Sequence, residues 1–279
     1  MKLNKSNSEI YVYDGVAVPK ALNRVTHLAV AAHQDDIEIM AYHGISECLG
    51  RDDYGFGAVV VADGGGSPRV GAYADYSDER MIQVRKSEQK KAAHIGQYSA
   101  LALLMYSSKE IRDRSDDRVV EDIYRLLIAA SPSVVYTHNL ADKHGTHIGV
   151  ALKTIAAIRK MPSKIRPKKL FGCEVWRGLD WLDDKHKVLL DTGKDPNLAR
   201  ELIAVFDSQV SGGKRYDIAT PARWMANATY YDSASADNLS HATYAMDLTP
   251  LIEDDTMDIA AFVRQHLMRF VQDVEDGLR

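Results

Sequence analysis

Few of the residues that mark a compartment or a partner occur in this chain. Two cysteines, Cys48 and Cys173, stand in 279 residues, each within an apolar stretch. That excludes a disulfide scaffold and a zinc ribbon, and both read as buried free thiols. A metal site here would need histidine and carboxylate ligands. No apolar run approaches the ~18 residues of a membrane-spanning helix. Residues 1–10 lack the apolar centre of a secretory signal, so the cytoplasm is the expected compartment. Neither charge sign dominates: 35 basic residues face 39 acidic ones, for a net charge of −4. There is thus no basic stripe for nucleic acid. No G-x-G-x-x-G follows the first apolar strand, and the acids and histidine found there would repel a pyrophosphate, which argues against a dinucleotide enzyme.

What is present is an alternation. With 46% apolar residues, the chain can bury a sizeable core in one α/β domain. Residues 25–32, 56–62, 100–105 and 133–137 read as buried strands. Helical patterns lie between and after them, at 36–49, from an N-cap at Ser77 to His94 with Gly96 as a stop, at 118–130 and at 146–159. Alternating strands and helices point to βαβ units and a doubly wound, mostly parallel sheet with helices on both faces. The second half is less regular. Residues 170–176 and 187–190 read as strands, and 197–207 and 258–274 as helices. Residues 208–240, rich in Ser, Gly, Ala, Asn and Tyr, read as a lid or an oligomer surface. A single domain over 1–279 is expected, with its core at about 22–160 and the remainder completing the sheet and the pocket.

Ligands of such sheets bind outside the carboxyl ends of the strands, and the polar clusters sit there. His33-Gln34-Asp35-Asp36 follows the first strand. Its acids could simply cap the next helix, or His33 and Asp36 could face one point while Asp35 takes another direction. Asp63-Gly64-Gly65-Gly66 follows the second strand, either as a plain turn or as a close backbone approach to a ligand. After the fourth strand, three histidines and an aspartate fall within residues 138–147. His144 and His147, three apart, share a face if a helix starts there. His33, Asp36 and one histidine of the second cluster would make a three-ligand catalytic zinc site with one position open to water. His27 falls in a strand and His43 mid-helix. His94, His186 and His266 read as surface residues, and His241 stands in a polar loop. Of Trp176, Trp181 and Trp224, at least two are expected in the core.

These motifs resemble the PIG-L/LmbE-like family of zinc N-deacetylases. That family carries AHPDD, often followed by x-E, after its first strand and HxDH later. Here the two stand as Ala32-His33-Gln34-Asp35-Asp36-Ile37-Glu38 and His144-Gly145-Thr146-His147. The family's D-G turn and R-x-x-E helix are matched by Asp63-Gly64 and Arg85-Lys86-Ser87-Glu88. The resemblance spans about residues 25–160. It implies a Rossmann-like fold with zinc held by His33, Asp36 and His147, iron(II) being an alternative because His/Asp sites accept both. It implies Asp35 as general base, and His144 as the group that stabilises the oxyanion or protonates the amine. Arg85 is then the contact to the sugar, with Glu88, Asp63 and Gly64 beside it; the alternative for Arg85 and Glu88 is a surface ion pair. The implied reaction is removal of an N-acetyl group from an amino sugar or N-acetylglucosamine conjugate, with no nucleic-acid partner, no membrane span and room for a homo-oligomer. Two positions depart from the pattern. Gln34 replaces a proline, which would loosen the loop, and Thr146 replaces an aspartate, leaving Asp142 or Glu38 to support His144. Two rivals follow: a hydrolase of another bond, and a sugar-binding homologue impaired in turnover.

Overall fold

The computed structural model describes residues 1–279. Eight strands form one sheet: β1 (Glu9–Tyr11), β2 (His27–Ala31), β3 (Phe56–Ala62), β4 (Ala100–Tyr106), β5 (Val134–His138), β6 (Lys169–Cys173), β7 (Lys187–Asp191) and β8 (Ala242–Asp247). Their spatial order is β1-β4-β3-β2-β5-β6-β8-β7. From β4 to β6 the pairing is parallel, with β1, β8 and β7 joined antiparallel at the edges. The fold is the Rossmann-like α/β arrangement expected from the alternation.

The parallel strands are apolar on both sides because helices cover both faces. Along β2, Leu28 and Val30 enter one core, and Ala29 and Ala31 the other. The first core is covered by α1 (Val18–Asn23), by α5, α6, α7 and α11 (Ser108–Arg112, Arg118–Ala130, Gly145–Arg159 and Pro250–Glu253), and by the start of α12 (Ile259–Gly277). The second is covered by α2 (Asp36–Met40), α3 (Tyr42–Cys48), α4 (Asp78–Ile95), α8 (Pro196–Ala204) and α10 (Tyr216–Thr229), with the short α9 (Asp207–Val210) at its margin. No helix is long and apolar enough to cross a membrane.

From β2 the chain steps one way to β3 and β4, then returns to the other side for β5 and β6. The switch falls between β2 and β5, and the crevice beyond their carboxyl ends is where both histidine clusters emerge. The structure also differs from the sequence expectation. The helix expected over 36–49 is interrupted at Ala41 (φ −123°, ψ 20°) and becomes α2 and α3. β1 and β8 were not anticipated, and the polar segment 208–240 contains α10. That helix buries Trp224 against Tyr42, the rings 5.5 Å apart and nearly parallel. His266 is buried rather than on the surface, edge-on to Phe262 and His186.

Candidate functional site

The turn after β2 is built around one strained residue. Asp35 has φ +90° and ψ −32°, a costly conformation for a residue with a Cβ, kept only where the surroundings over-determine it. Three contacts do so. The Asp35 N–H donates to Gln89 Oε1 (3.3 Å), and Arg85 Nη2 reaches Asp35 Oδ2 (3.1 Å) and also donates to the Gln34 carbonyl. Gln89 is oriented in turn, since its Nε2 donates to Glu38 Oε1 (2.8 Å), which also accepts from Tyr98 Oη (2.7 Å). Gln34 corrects the expectation of a loosened loop. Fully buried, it donates from Nε2 to the Ala62 carbonyl (3.1 Å), which ties the turn to the end of β3.

Asp36, first in α2, points into a ring of imidazoles. Its Oδ2 lies 3.2 Å from His33 Nδ1 and 3.3 Å from His147 Nε2, and those two nitrogens are 3.2 Å apart. Ligand atoms around a tetrahedral cation with ~2.0–2.1 Å bonds lie ~3.3 Å from one another. The triangle therefore has the dimensions of one face of such a centre. His33, His144 and His147 also group within 4.8 Å, as do Asp36, His138 and His147. His138 is committed elsewhere: its Nε2 accepts from the Ala32 N–H (2.8 Å) and its ring stacks on His147 at 3.8 Å. Its place at the last residue of β5 left it indistinct from its neighbours in sequence, where only the cluster was visible.

The charges of the triangle depend on one another. Burial alone would raise the Asp36 carboxyl, but His147, His138 and His33 outweigh it and hold Asp36 far below the usual range. Burial pulls His147 down, yet Asp36 and Asp142 reverse the sign and raise it. Asp142 Oδ2 sits 3.4 Å from His147 Nδ1 and also accepts from the Trp176 N–H. An acid behind a ligating imidazole fixes its tautomer and orientation. Asp142 thus backs the His147 ring and meets His144 only at its backbone N–H (2.9 Å), and Glu38 is occupied with Gln89 and Tyr98. His144, the residue before α7, has a buried Nδ1 with no partner. Burial, with His147 and His33 adding to it, lowers His144 to about 4, so it is neutral at pH 7. Asp35 shifts the other way. Burial raises it to about 7, with Arg85 opposing and Asp36 adding.

His33, Asp35, Asp36 and His144 line a cavity of about 310 Å³ that also takes in Asp63, Gly64, Ser67, Trp176, Lys214 and Tyr216, with His147 buried behind it. Of the substrate-contact candidates, Arg85, Asp63 and Gly64 are at the cavity. Gly64 has φ +81°, and a Cβ there would stand 2.5 Å from Gln34 Oε1, so both conformation and space demand glycine. Glu88 is not on the wall and forms no surface ion pair. It is buried and accepts from the N–H (2.8 Å) and Oγ (2.6 Å) of Ser208. That clamp holds the segment carrying Gln209, Lys214 and Tyr216 against α4. Of the three tryptophans, Trp176 lines the cavity, Trp224 is core and Trp181 packs against the core. Of residues 208–240, Gln209, Lys214 and Tyr216 supply cavity wall, in line with the expectation that the second half completes the pocket.

Residues 28–158, from the first residues of β2 to the last turn of α7, match the family model described as PIG-L, GlcNAc-PI de-N-acetylase. Over that stretch, a little under half of the chain, it is similar to the PIG-L family. The PIG-L match contains both histidine clusters, Arg85 and the Asp63-Gly64 turn. No curated protein sequence matches the chain. Solved structures share its fold at low identity. GalB, the 4-carboxy-2-hydroxymuconate hydratase of Pseudomonas putida, is 17% identical with a TM-score of 0.62, over 80% of this chain and 96% of that one. The N,N'-diacetylchitobiose deacetylase of Pyrococcus horikoshii is 14% identical with a TM-score of 0.62, over 88% and 92%. The A40926 pseudoaglycone deacetylase Dbv21 is 15% identical with a TM-score of 0.56, over 80% and 97%.

Proposed function

We propose that this chain, similar to the PIG-L family over residues 28–158, is a metal-dependent N-deacetylase that hydrolyses the N-acetyl group of an amino sugar or its conjugate. The observation that supports it most is the His33–Asp36–His147 triangle of 3.2–3.3 Å edges, whose His33 and Asp36 share a cavity with a buried, raised Asp35. His33, Asp36 and His147 would hold a divalent cation, zinc or iron(II), with Asp142 orienting His147. Such a cation supplies Lewis acidity toward water and an acyl oxygen. Asp35, outside the triangle and held by Arg85 and Gln89, accepts the proton of the attacking water and carries it to the leaving nitrogen. A base working at neutral pH needs a pKa near 7, and burial brings Asp35 there. Neutral His144 keeps one ring nitrogen for donation, suited to the developing oxyanion. Arg85 borders the cavity, while Trp176 and Tyr216 offer flat faces for a sugar ring. The resemblance of fold to a diacetylchitobiose deacetylase and a pseudoaglycone deacetylase agrees with this reading.

A second reading is favoured by one observation: GalB, with the same fold, is a hydratase. Activated water could then attack a bond other than an amide. Amine release from a panel of N-acetylated amino sugars, with and without chelator, separates the two. Deacetylation that chelator abolishes and zinc restores supports the proposal. Asp35→Asn should bind zinc as the wild type does and lose ~10²–10⁴ in turnover. His33→Ala and His147→Ala should lose metal and activity together. Full activity in Asp35→Asn would refute the assigned base.

A further inference from the structure

The last helix displays more apolar surface than its own chain covers. At its start Phe262 and His266 are buried. Val263 and Leu267, with Ile148 and Leu152 of α7, line an open groove of about 770 Å³. Further along, the stripe continues at helical spacing through Phe270, Val271, Val274 and Leu278. Leu267 is 44% exposed, and these four are 41, 43, 46 and 82% exposed. A continuous exposed apolar stripe on an otherwise acidic and basic helix marks an interaction surface.

The charges beside the stripe select the occupant. Arg114 and Arg264 rim the groove and no carboxylate of the chain pairs with them. The groove's acids are engaged: Asp255 pairs with Arg166, and Asp258 caps α12 through the Ala261 N–H. On the outer half of α12, Arg269 is turned to His266, and the last turns carry unpaired Asp273 and Glu275 with Asp276, which meets only Gln272 and the exposed Arg279. Two such helices side by side and parallel would place like charges together. Antiparallel, the acidic outer half of each meets the basic groove of the other, and a two-fold axis satisfies both contacts at once.

We propose that this surface is the interface between two copies of the chain, with the α12 helices antiparallel and Val274 and Leu278 of each seated in the other's groove. The acidic turn at 273–276 opposes an anionic membrane, which attracts basic helices instead.

Sedimentation equilibrium on the full chain should give twice the 31.0 kDa mass, or a larger even multiple. Val274→Asp should weaken association about 30-fold or more, the size of a hot-spot loss, with an unchanged circular dichroism spectrum. Arg264→Glu and Asp273→Arg should each weaken it, and the double variant should regain much of the loss. A wild-type monomer at its solubility limit, an odd-numbered assembly, or an assembly indifferent to Val274→Asp would overturn the proposal. So would cosedimentation with phosphatidylserine-containing vesicles that Val274→Asp abolishes.

Discussion

Replacing Glu38 by Gln should shift stability increasingly in the variant's favour as pH rises. Glu38 is fully buried, and burial raises its carboxyl to about 8 although Tyr98 and Gln89 both donate to it. Both donors use Oε1, and Oε2 has no partner, which is the arrangement a protonated acid would leave. In the unfolded chain the ordinary value is 4.5. Between those two values the native state holds a proton that the unfolded state has released. The contribution of Glu38 is therefore complete below pH 4.5 and is lost as pH climbs toward 8, by ~1.4 kcal/mol per unit. Glutamine has the shape of the protonated acid, keeps an oxygen for both donors and does not titrate. The stability difference in favour of Glu38→Gln should thus widen by up to about 3 kcal/mol between pH 5 and pH 7.5. Urea midpoints at several pH values, with chelator and with zinc, measure it. A difference that stays level or narrows with pH would refute the reasoning. Turnover of Glu38→Gln should remain within a few-fold of wild type, because Gln89 keeps its orientation toward the Asp35 amide. Gln89→Leu removes that acceptor and should lower turnover while zinc content holds.

Other outcomes follow from the same geometry. Asp142→Asn leaves His147 without its charged partner and should weaken zinc affinity ~10–100-fold, read by competition with a chromophoric chelator. Glu88→Ala removes both bonds to Ser208; KM should rise with zinc content unchanged, and amide exchange should quicken over residues 207–216. Gly64→Ala meets both the positive φ and Gln34 Oε1, and should lower stability by ~1–3 kcal/mol in thermal unfolding.

Much of this arrangement was legible in the sequence because it rests on short-range signals. Apolar runs of strand length separated by helical patterns specified the parallel sheet. Polar residues immediately after β2, β3 and β5 located the crevice, since strand ends in such a sheet are adjacent whatever their distance along the chain. The partnerships were harder to read. That Gln34 would replace a proline's rigidity with a bond to the Ala62 carbonyl depends on how closely β3 approaches, which no local pattern encodes. That Asp142 would serve the ring of His147 and not that of His144 depends on the angle at which α7 leaves the loop. Glu88 was singled out by the R-x-x-E pattern, but its partner was not, because Ser208 lies 120 residues further on. Segments 9–11 and 242–247 were missed for a related reason, as each is an edge or antiparallel addition without a crossover helix to announce it.

The clamp between Glu88 and Ser208 separates two jobs that many enzymes combine on one scaffold. The groups that would bind the cation and move the proton are carried by the sheet and its first helices, whereas much of the cavity's far side is carried by a later piece attached at one buried carboxylate. Exchange of residues 209–216 would thus reshape the wall formed by Gln209, Lys214 and Tyr216 while leaving His33, Asp35 and Asp36 where they are.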